Sequence, residues 1–375
     1  MLFGGGKLNI NERHRIGFVT SGRSDYALIR PLLRKLHQHK DILPWVIVTG
    51  THMTKLYGKT IQEVDWINDR VDILMQSNNA VSTANAIGLG VIKFSELFIK
   101  RNFKALFLVG DRFEMFAAGV AAYCLGIPII HAFGGEETKG SQDDGWRNCL
   151  TTYADHHLVS HEKYAEKIKQ LKAGKGEVRT VGSLSVDNIN STRILSREEL
   201  ATRIKLGMGK FLLVTYHPDT TKGRDQNIKD FQEVLAGLDK LDEYDIIITF
   251  ANQDTTGTEF NRMIMEFKGS RYHVKYIRHA GVEVYLSLMS HAEAVVGNSS
   301  SGIMEAPYYG VPTINIGDRQ AGRLMADSIT SVPCNNIAIF KAVKESTRRA
   351  PCGVFGQGAA DNIIKCLEEF ICHNE

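Results

Sequence analysis

Short apolar runs alternate along this chain with stretches of helical spacing, and the alternation breaks once and then restarts. The first series is Arg15–Thr20, Leu43–Thr49, Val71–Met75, Ala105–Val109 and Ile127–Ala132, continued by His156–Val159 and Val178–Val181. Between these runs, Tyr26–His37, Ala80–Arg101 and Phe113–Leu125 repeat their apolar residues with a helical period. Strand-length apolar runs alternating with amphipathic helices predict a parallel sheet covered on both faces. Around Asn188–Arg197 the chain turns polar, as a linker would. A second series follows, at Phe211–Thr215, Asp245–Phe250, Tyr272–Tyr276, Glu293–Val296 and Val311–Ile316. The pattern therefore predicts an α/β protein of two doubly wound, Rossmann-like halves, 15–190 and 191–355. The Gly-rich, polar segment 1–14 reads as a flexible extension. A last helix within 356–375, roughly Ala359–Cys372, is expected to pack back on the first half.

The totals agree with this division. A chain of 375 residues exceeds one ordinary core. The formal net charge is only +3 and no long basic run occurs, which argues against nucleic acid or an anionic membrane as the main partner. A small anion held by a few placed cations remains compatible with that charge. The six cysteines form no Cys-x-x-Cys pair and no zinc-spaced cluster with histidine. They read as reduced, mostly buried thiols, and no metal site is expected. No leader pattern and no run long enough to span a bilayer is visible, so the cytoplasm is the expected location.

In doubly wound sheets, ligands bind beyond the carboxyl ends of the strands. With two such sheets, the expected site is the cleft between the halves. Polar and ionisable residues recur at these ends. The first half supplies Arg23, Ser24 and Asp25 after its first strand, and His52 after its second. Asp111 and Arg112 follow the fourth, and His131 and Glu136 flank a Gly134-Gly135 turn after the fifth. The second half supplies His217, then Asn252, then His279. Each has a plainer reading alone. Asp111 could cap a helix beside a solvated arginine. His52 could be structural. Asp143-Asp144 before Arg147 could open a surface helix with an ion pair.

The most specific segment is Gly297-Asn298-Ser299-Ser300-Ser301-Gly302-Ile303-Met304-Glu305, with Asp318-Arg319-Gln320 after the next strand. An apolar strand runs there into a hydroxyl-rich turn that opens a helix. Unpaired backbone N–H groups and serine hydroxyls suit a diphosphate, and three serines are more than a cap needs. Arg319 can complete the charge balance. Glu305, one turn into the helix, can face a sugar hydroxyl.

Taken together, these motifs resemble the hydrolysing UDP-N-acetylglucosamine 2-epimerases, bacterial enzymes that start sialic-acid synthesis, and their relatives acting on UDP-diacetylbacillosamine. The resemblance spans roughly residues 15–370. It rests on Gly297–Glu305 with Gly310–Gln320 and Arg323, and on Arg23–Tyr26, Gly110–Arg112, Gly134–Glu136 and His217-Pro218 in matching order. It implies a glycosyltransferase-B-like fold, a UDP-binding second half, a UDP-N-acetyl sugar as substrate, no metal and no cofactor. By analogy with relatives it also implies a homodimer or homotetramer. UDP would leave C1 as the C2 proton leaves, and water would add to the resulting glycal. Asp111, Asp143 and Asp144 resemble the family's catalytic carboxylates, and Arg147 the arginine behind them. His217 resembles the histidine that meets the diphosphate. Ser299, Ser300 and Arg319 would hold phosphate, Arg23 and Arg112 would lie on the UDP or sugar side, and Asn252 and His279 near the uracil or ribose. Ser24, Asp25, His52 and Glu305 complete the substrate-binding candidates.

The chain departs from the family at the sugar end. Many members carry His-x-Glu before the Gly-Gly pair, where this chain has Phe133, and Arg-His where it has Arg147-Asn148. Phe133 is expected to remove a polar contact and favour a less hydroxylated sugar, with Glu136 or His131 supplying the proton transfer. Two other classes of function stay open on the sequence: a glycosyltransferase using the same UDP site, and a nucleotide-sugar binder without turnover.

Overall fold

The structure is a computed structural model and describes residues 13–54, 60–73, 80–138, 142–251, 256–278 and 280–373. The chain forms two compact units. One takes in the described residues up to Glu136, then Asp143–Asn188 and the C-terminal part from Gly356. The other takes in Glu137–Gln142 and Ile189–Phe355.

The first unit opens with β1 (His14–Thr20), α1 (Arg23–His37), β2 (Ile42–Val48), the two-residue β3 (Asp69–Arg70) and α2 (Ala80–Arg101). It continues through β4 (Ala105–Val109), α3 (Phe113–Cys124), β5 (Ile129–Ala132) and α4 (Asp143–Tyr153). β6 (His156–Val159), α5 (Glu162–Leu171), β7 (Glu177–Thr180) and α6 (Leu184–Ser191) follow. All seven strands are parallel, in the order β3-β2-β1-β4-β5-β6-β7. Side chains alternate across β1: Ile16 and Phe18 enter one core, Val19 the other. Each fully buried residue of this kind contributes about 1.5–3 kcal/mol, so both faces of the sheet are held.

The second unit contains α7 (Arg197–Ile204), β8 (Phe211–Thr215), α8 (Arg224–Leu238), β9 (Asp245–Thr249), α9 (Gly257–Lys268) and β10 (Val274–Ile277). It is completed by α10 (Gly281–His291), β11 (Ala294–Gly297), α11 (Ser300–Met304), β12 (Thr313–Ile316), β13 (Ile329–Val332) and α12 (Asn336–Glu345). Its six parallel strands run β10-β9-β8-β11-β12-β13. The last helix, α13 (Ala359–His373), belongs to the first unit. Its Ile363, Leu367 and Phe370 join the core beneath α1, and Lys35 meets Asp361 at 2.6 Å. Asp187 caps its start, accepting from Gly358 N and Ala360 N at 2.8 and 2.7 Å.

Strand order reverses between β1 and β4 in the first sheet and between β8 and β11 in the second. At these switch points, neighbouring connections leave to opposite faces and open a crevice at the carboxyl ends. The arginine motif after β1 and the Asp111 motif after β4 flank the first crevice. His217 after β8 and the serine turn after β11 flank the second. There, Gly297 pairs with Thr215 at φ +143°, and a Cβ would fall 2.0 Å from the Thr215 carbonyl oxygen. The strands reach this end of the sheet in register because that residue is glycine.

Some sequence expectations are corrected. Of the strand expected at Val71–Met75, Leu74 and Met75 lie outside the described residues; the strand there is Asp69–Arg70, and Val71 and Ile73 enter the core just after it. β1 begins at His14, and residues 1–12 of the expected extension lie outside the described residues. The cysteines are all free, but Cys124 and Cys372 are exposed and the other four only partly buried. Among the described residues, no helix is long and apolar enough to cross a membrane.

Candidate active site

The first unit builds its site around one buried cation. Arg147, on α4, is 1% exposed, so the plainer reading of a surface ion pair is corrected: the pair with Asp144 forms, but its arginine is buried. Its guanidinium donates to Asp111 from Nη2 and to Asp144 from Nη1, and Nη1 also donates to the Glu136 carbonyl at 2.8 Å. Burial lowers its hold on the proton, but the charges of Asp111, Glu136 and Asp144 more than offset this, so the group stays a cation. A planar fork can bind two carboxylates at once, and here it ties the β4 loop, the β5 loop and α4 together. The Glu136 carboxylate is itself buried and accepts from Ser160 Oγ at 3.2 Å.

Beside it lies a second charge group. Arg112 Nε meets Glu114 at 3.2 Å, and the charges of Glu114, Asp25 and Asp143 all act to keep Arg112 protonated. Glu114 is fully buried, and desolvation pushes its carboxyl upward. Asp25 accepts from Ser21 Oγ at 2.6 Å and from Ser24 Oγ at 3.3 Å. Arg23 faces Glu63 at 3.3 Å. Asp111, Asp144 and the Glu136 carbonyl thus gather on Arg147, and Glu114 meets Arg112 within the field of Asp25 and Asp143.

Two histidines sit below this surface. His131 is fully buried, with Nε2 2.9 Å from the Gly110 carbonyl and Nδ1 3.2 Å from Thr151 Oγ1. Burial pushes it down to about 4, so it is neutral and supports the Gly110-Asp111 turn from beneath. His52 is 2% exposed, and Thr20 and Thr60 hydroxyls lie 3.1 Å from its two nitrogens. Phe133 adopts φ +64°, costly for a bulky residue, and its ring packs in the core with Val109 and Leu158. The Phe133 ring lies in the core and its left-handed backbone leads into the Gly134-Gly135 turn, so this position presents no polar side chain. Asn148 lies exposed on α4.

In the second unit, Asn298 is the keystone. Its side chain accepts from His217 N at 2.7 Å and donates to His217 O at 2.8 Å. Its own carbonyl accepts from Arg319 Nη1 at 3.2 Å and Gln320 Nε2 at 2.8 Å. The loops after β8, β11 and β12 are joined at this one residue. Burial, with the nearby Arg319 charge, pushes His217 down to about 3, so its imidazole is neutral. Ser299 caps α11 and lies 3.0 Å from Ser301 Oγ, and Ser300 is the first residue of the helix. Glu305 is half-buried, and desolvation pushes it up to about 7. Arg323 donates to Thr138 Oγ1 at 3.1 Å. Asn252 and His279 lie outside the described residues.

Glu114, Asn298 and Tyr285, on α10 against Ser301, escaped the sequence reading. An acidic residue in a first helical turn is usually solvated, which hides Glu114. Asn298 sat in plain view within the serine motif, but its partner is 81 residues away. Tyr285 carries no sequence signal. Among the described residues, no three His, Cys, Asp or Glu side chains converge as metal ligands. The first unit's cluster has the carboxylates and buried cation that proton transfer requires. The second unit's cluster has hydroxyls, an arginine and a histidine suited to a phosphate.

A model of the UDP-N-acetylglucosamine 2-epimerase family matches residues 34–368. A "GDP/UDP-N,N'-diacetylbacillosamine 2-epimerase (hydrolyzing)" from Campylobacter jejuni is 32% identical over 331 residues, 87% of this chain and 86% of that protein. The "Polysialic acid biosynthesis protein P7" of Escherichia coli is 29% identical over 370 residues, covering 95% and 94%. In fold, the chain is similar to a Methanocaldococcus jannaschii UDP-GlcNAc 2-epimerase solved with UDP-GlcNAc and UDP. The TM-score is 0.78 at 17% identity, covering 95% of this chain and 99% of that one.

Proposed function

The chain belongs to the UDP-N-acetylglucosamine 2-epimerase family, and on that premise we propose that it is a hydrolysing 2-epimerase of a UDP-2-acetamido sugar. The relatives' names support a substrate such as UDP-N-acetylglucosamine or a UDP-2,4-diacetamido-trideoxy sugar, and a product for sialic- or legionaminic-type synthesis. The C1–O bond breaks with its electron pair leaving on the UDP oxygen. The positive charge growing at C1 acidifies the C2 hydrogen, a carboxylate takes that proton, and the C1–C2 double bond forms. Water then adds its hydroxyl at C1, while a proton reaches C2 from the opposite face. The sum is UDP-sugar plus water giving UDP and the free 2-epimer.

One observation carries this reading: buried Arg147 holds Asp111 and Asp144 at a sheet switch point, with the Glu136 carbonyl on the same guanidinium. Carboxylates gathered around one fixed cation suit the removal and return of a carbon-bound proton. In this reading Asp111, Asp144 and Glu136 handle protons and Arg147 holds them in place. Asp143 and Arg112 face the sugar, with Arg23, Ser24 and Asp25 beside them. His131 keeps the Asp111 turn in place, and His52 supports the neighbouring loop. Ser299, Ser300 and Arg319 take the diphosphate, whose charge favours the protonated form of His217 and so eases departure. Glu305 accepts ribose or sugar hydroxyls. We place the enzyme in the cytoplasm as a homodimer or homotetramer.

The test is incubation with a small panel of UDP-2-acetamido sugars in heavy water, without acceptor, followed by NMR. UDP and a free 2-epimer carrying deuterium at C2 are expected from at least one of them. Slow hydrolysis with the C2 hydrogen retained would instead indicate a transferase, and UDP binding with intact sugar a binder.

A further inference from the structure

Five hydroxyls form an unbroken line in the second unit. Thr249 Oγ1 donates to Thr215 Oγ1 at 2.9 Å, and Thr215 lies 3.2 Å from Tyr285 Oη. Tyr285 Oη is 2.6 Å from Ser301 Oγ, which is 3.0 Å from Ser299 Oγ. Thr249 and Thr215 end neighbouring strands β9 and β8, Tyr285 projects from α10, and the serines belong to the turn after β11. The line therefore runs from two strand ends to the serines. Desolvation pushes the Tyr285 phenol up to about 12, so it keeps its proton at any working pH.

Each hydroxyl has one proton to donate. Four links between five hydroxyls use four protons, and the fifth is left at one end. At the Thr249 end it meets the Val214 carbonyl, 3.4 Å away. At the Ser299 end it can meet an anion. An anion there turns every hydroxyl the same way, and such chains strengthen cooperatively. Without the central phenol, the two serines lose their tie to the strands.

Resting on the nucleotide-sugar reading above, we propose that Tyr285 is a positioning residue for the diphosphate, aligning the serine hydroxyls as donors through this line. It acts through Ser301 and Ser299, so its contribution is expected when phosphate is present. Hydrogen bonds to charged groups carry the larger share of such energies, so loss of alignment is expected to be measurable.

The test is calorimetric titration with UDP, alongside NMR titration with uridine, on the wild-type protein, Tyr285→Phe, Thr215→Val and the double variant. UDP is expected to bind Tyr285→Phe about fivefold or more weakly, a net hydrogen bond's worth, with uridine within about twofold of wild type. The double variant should lose no more than Tyr285→Phe alone, since both cut one chain. Thr215→Val reads the same chain should Tyr285→Phe fail to fold. UDP affinity within twofold of wild type, or equal weakening of UDP and uridine, overturns the proposal. If Ser299→Ala weakens UDP binding while both chain variants do not, this inference falls and the nucleotide-sugar reading stands. A wild-type protein that binds no UDP brings down both.

Discussion

Arg147 carries more of this site than any other residue. Its cost is desolvation, and two carboxylates and a backbone carbonyl offset it. Removing the cation takes away the donor that Asp111 and Asp144 share. Arg147→Ala is expected to abolish turnover and to lower stability by about 3 kcal/mol in urea melts. Arg147→Lys should rescue neither, because one ammonium does not reproduce a fork that meets two carboxylates. Near-wild-type activity in the lysine variant would contradict the fork's role. Glu305 makes a separate prediction. Desolvation raises it from its ordinary 4.5 to about 7. A carboxyl raised in the folded state favours folding while protonated. Its contribution is full below about pH 4.5 and is lost as the pH rises through about 7. Urea midpoints of the wild-type protein measured across this window should therefore contain a falling component that Glu305→Gln removes. Identical pH profiles for the two proteins would contradict this assignment.

At the scale of elements, Asn298 joins the loops that follow β8, β11 and β12. Asn298→Asp keeps the shape but sets an acceptor against the His217 carbonyl, where a donor had been. An unmade buried hydrogen bond costs about 1–3 kcal/mol, so kcat is expected to fall at least about tenfold through displacement of His217. UDP affinity should change less, because the Asn298 carbonyl that meets Arg319 remains. Steady-state kinetics beside UDP titration separates the two effects. These cross-element contacts explain what the sequence revealed and what it withheld. Strands buried on both faces, such as β4, β8 and β12, announce themselves as continuous apolar runs. Edge strands do not: β13 is half exposed, and β3 is an Asp-Arg pair whose Asp69 meets Arg101 at 2.7 Å. In the run Val71–Met75 the buried residues are Val71 and Ile73 among those described, and the strand register with β2 ends at Arg70. Asp111, His217 and the serine turn were legible because strand ends are where ligands bind. Glu114 and Tyr285 were not, because their importance lies in partners that only folding brings near.

For the molecule as a whole, two doubly wound sheets each present chemistry at their own switch point. Acids around a buried arginine stand at one, and hydroxyls, an arginine and a neutral histidine at the other. The proposed reaction divides labour accordingly: proton transfer in the first unit, the grip on UDP in the second. Each unit's residues should then fail in their own way when altered. The most direct measurement is paired turnover and UDP titration on Asp111→Asn and on Ser300→Ala combined with Arg319→Ala. Asp111→Asn is expected to lower kcat by about 10²-fold or more while UDP binds within about threefold of wild type. The double variant is expected to lose UDP affinity by at least about tenfold. An Asp111→Asn protein that still turns over at the wild-type rate, or a double variant that binds UDP as well as before, would contradict the account.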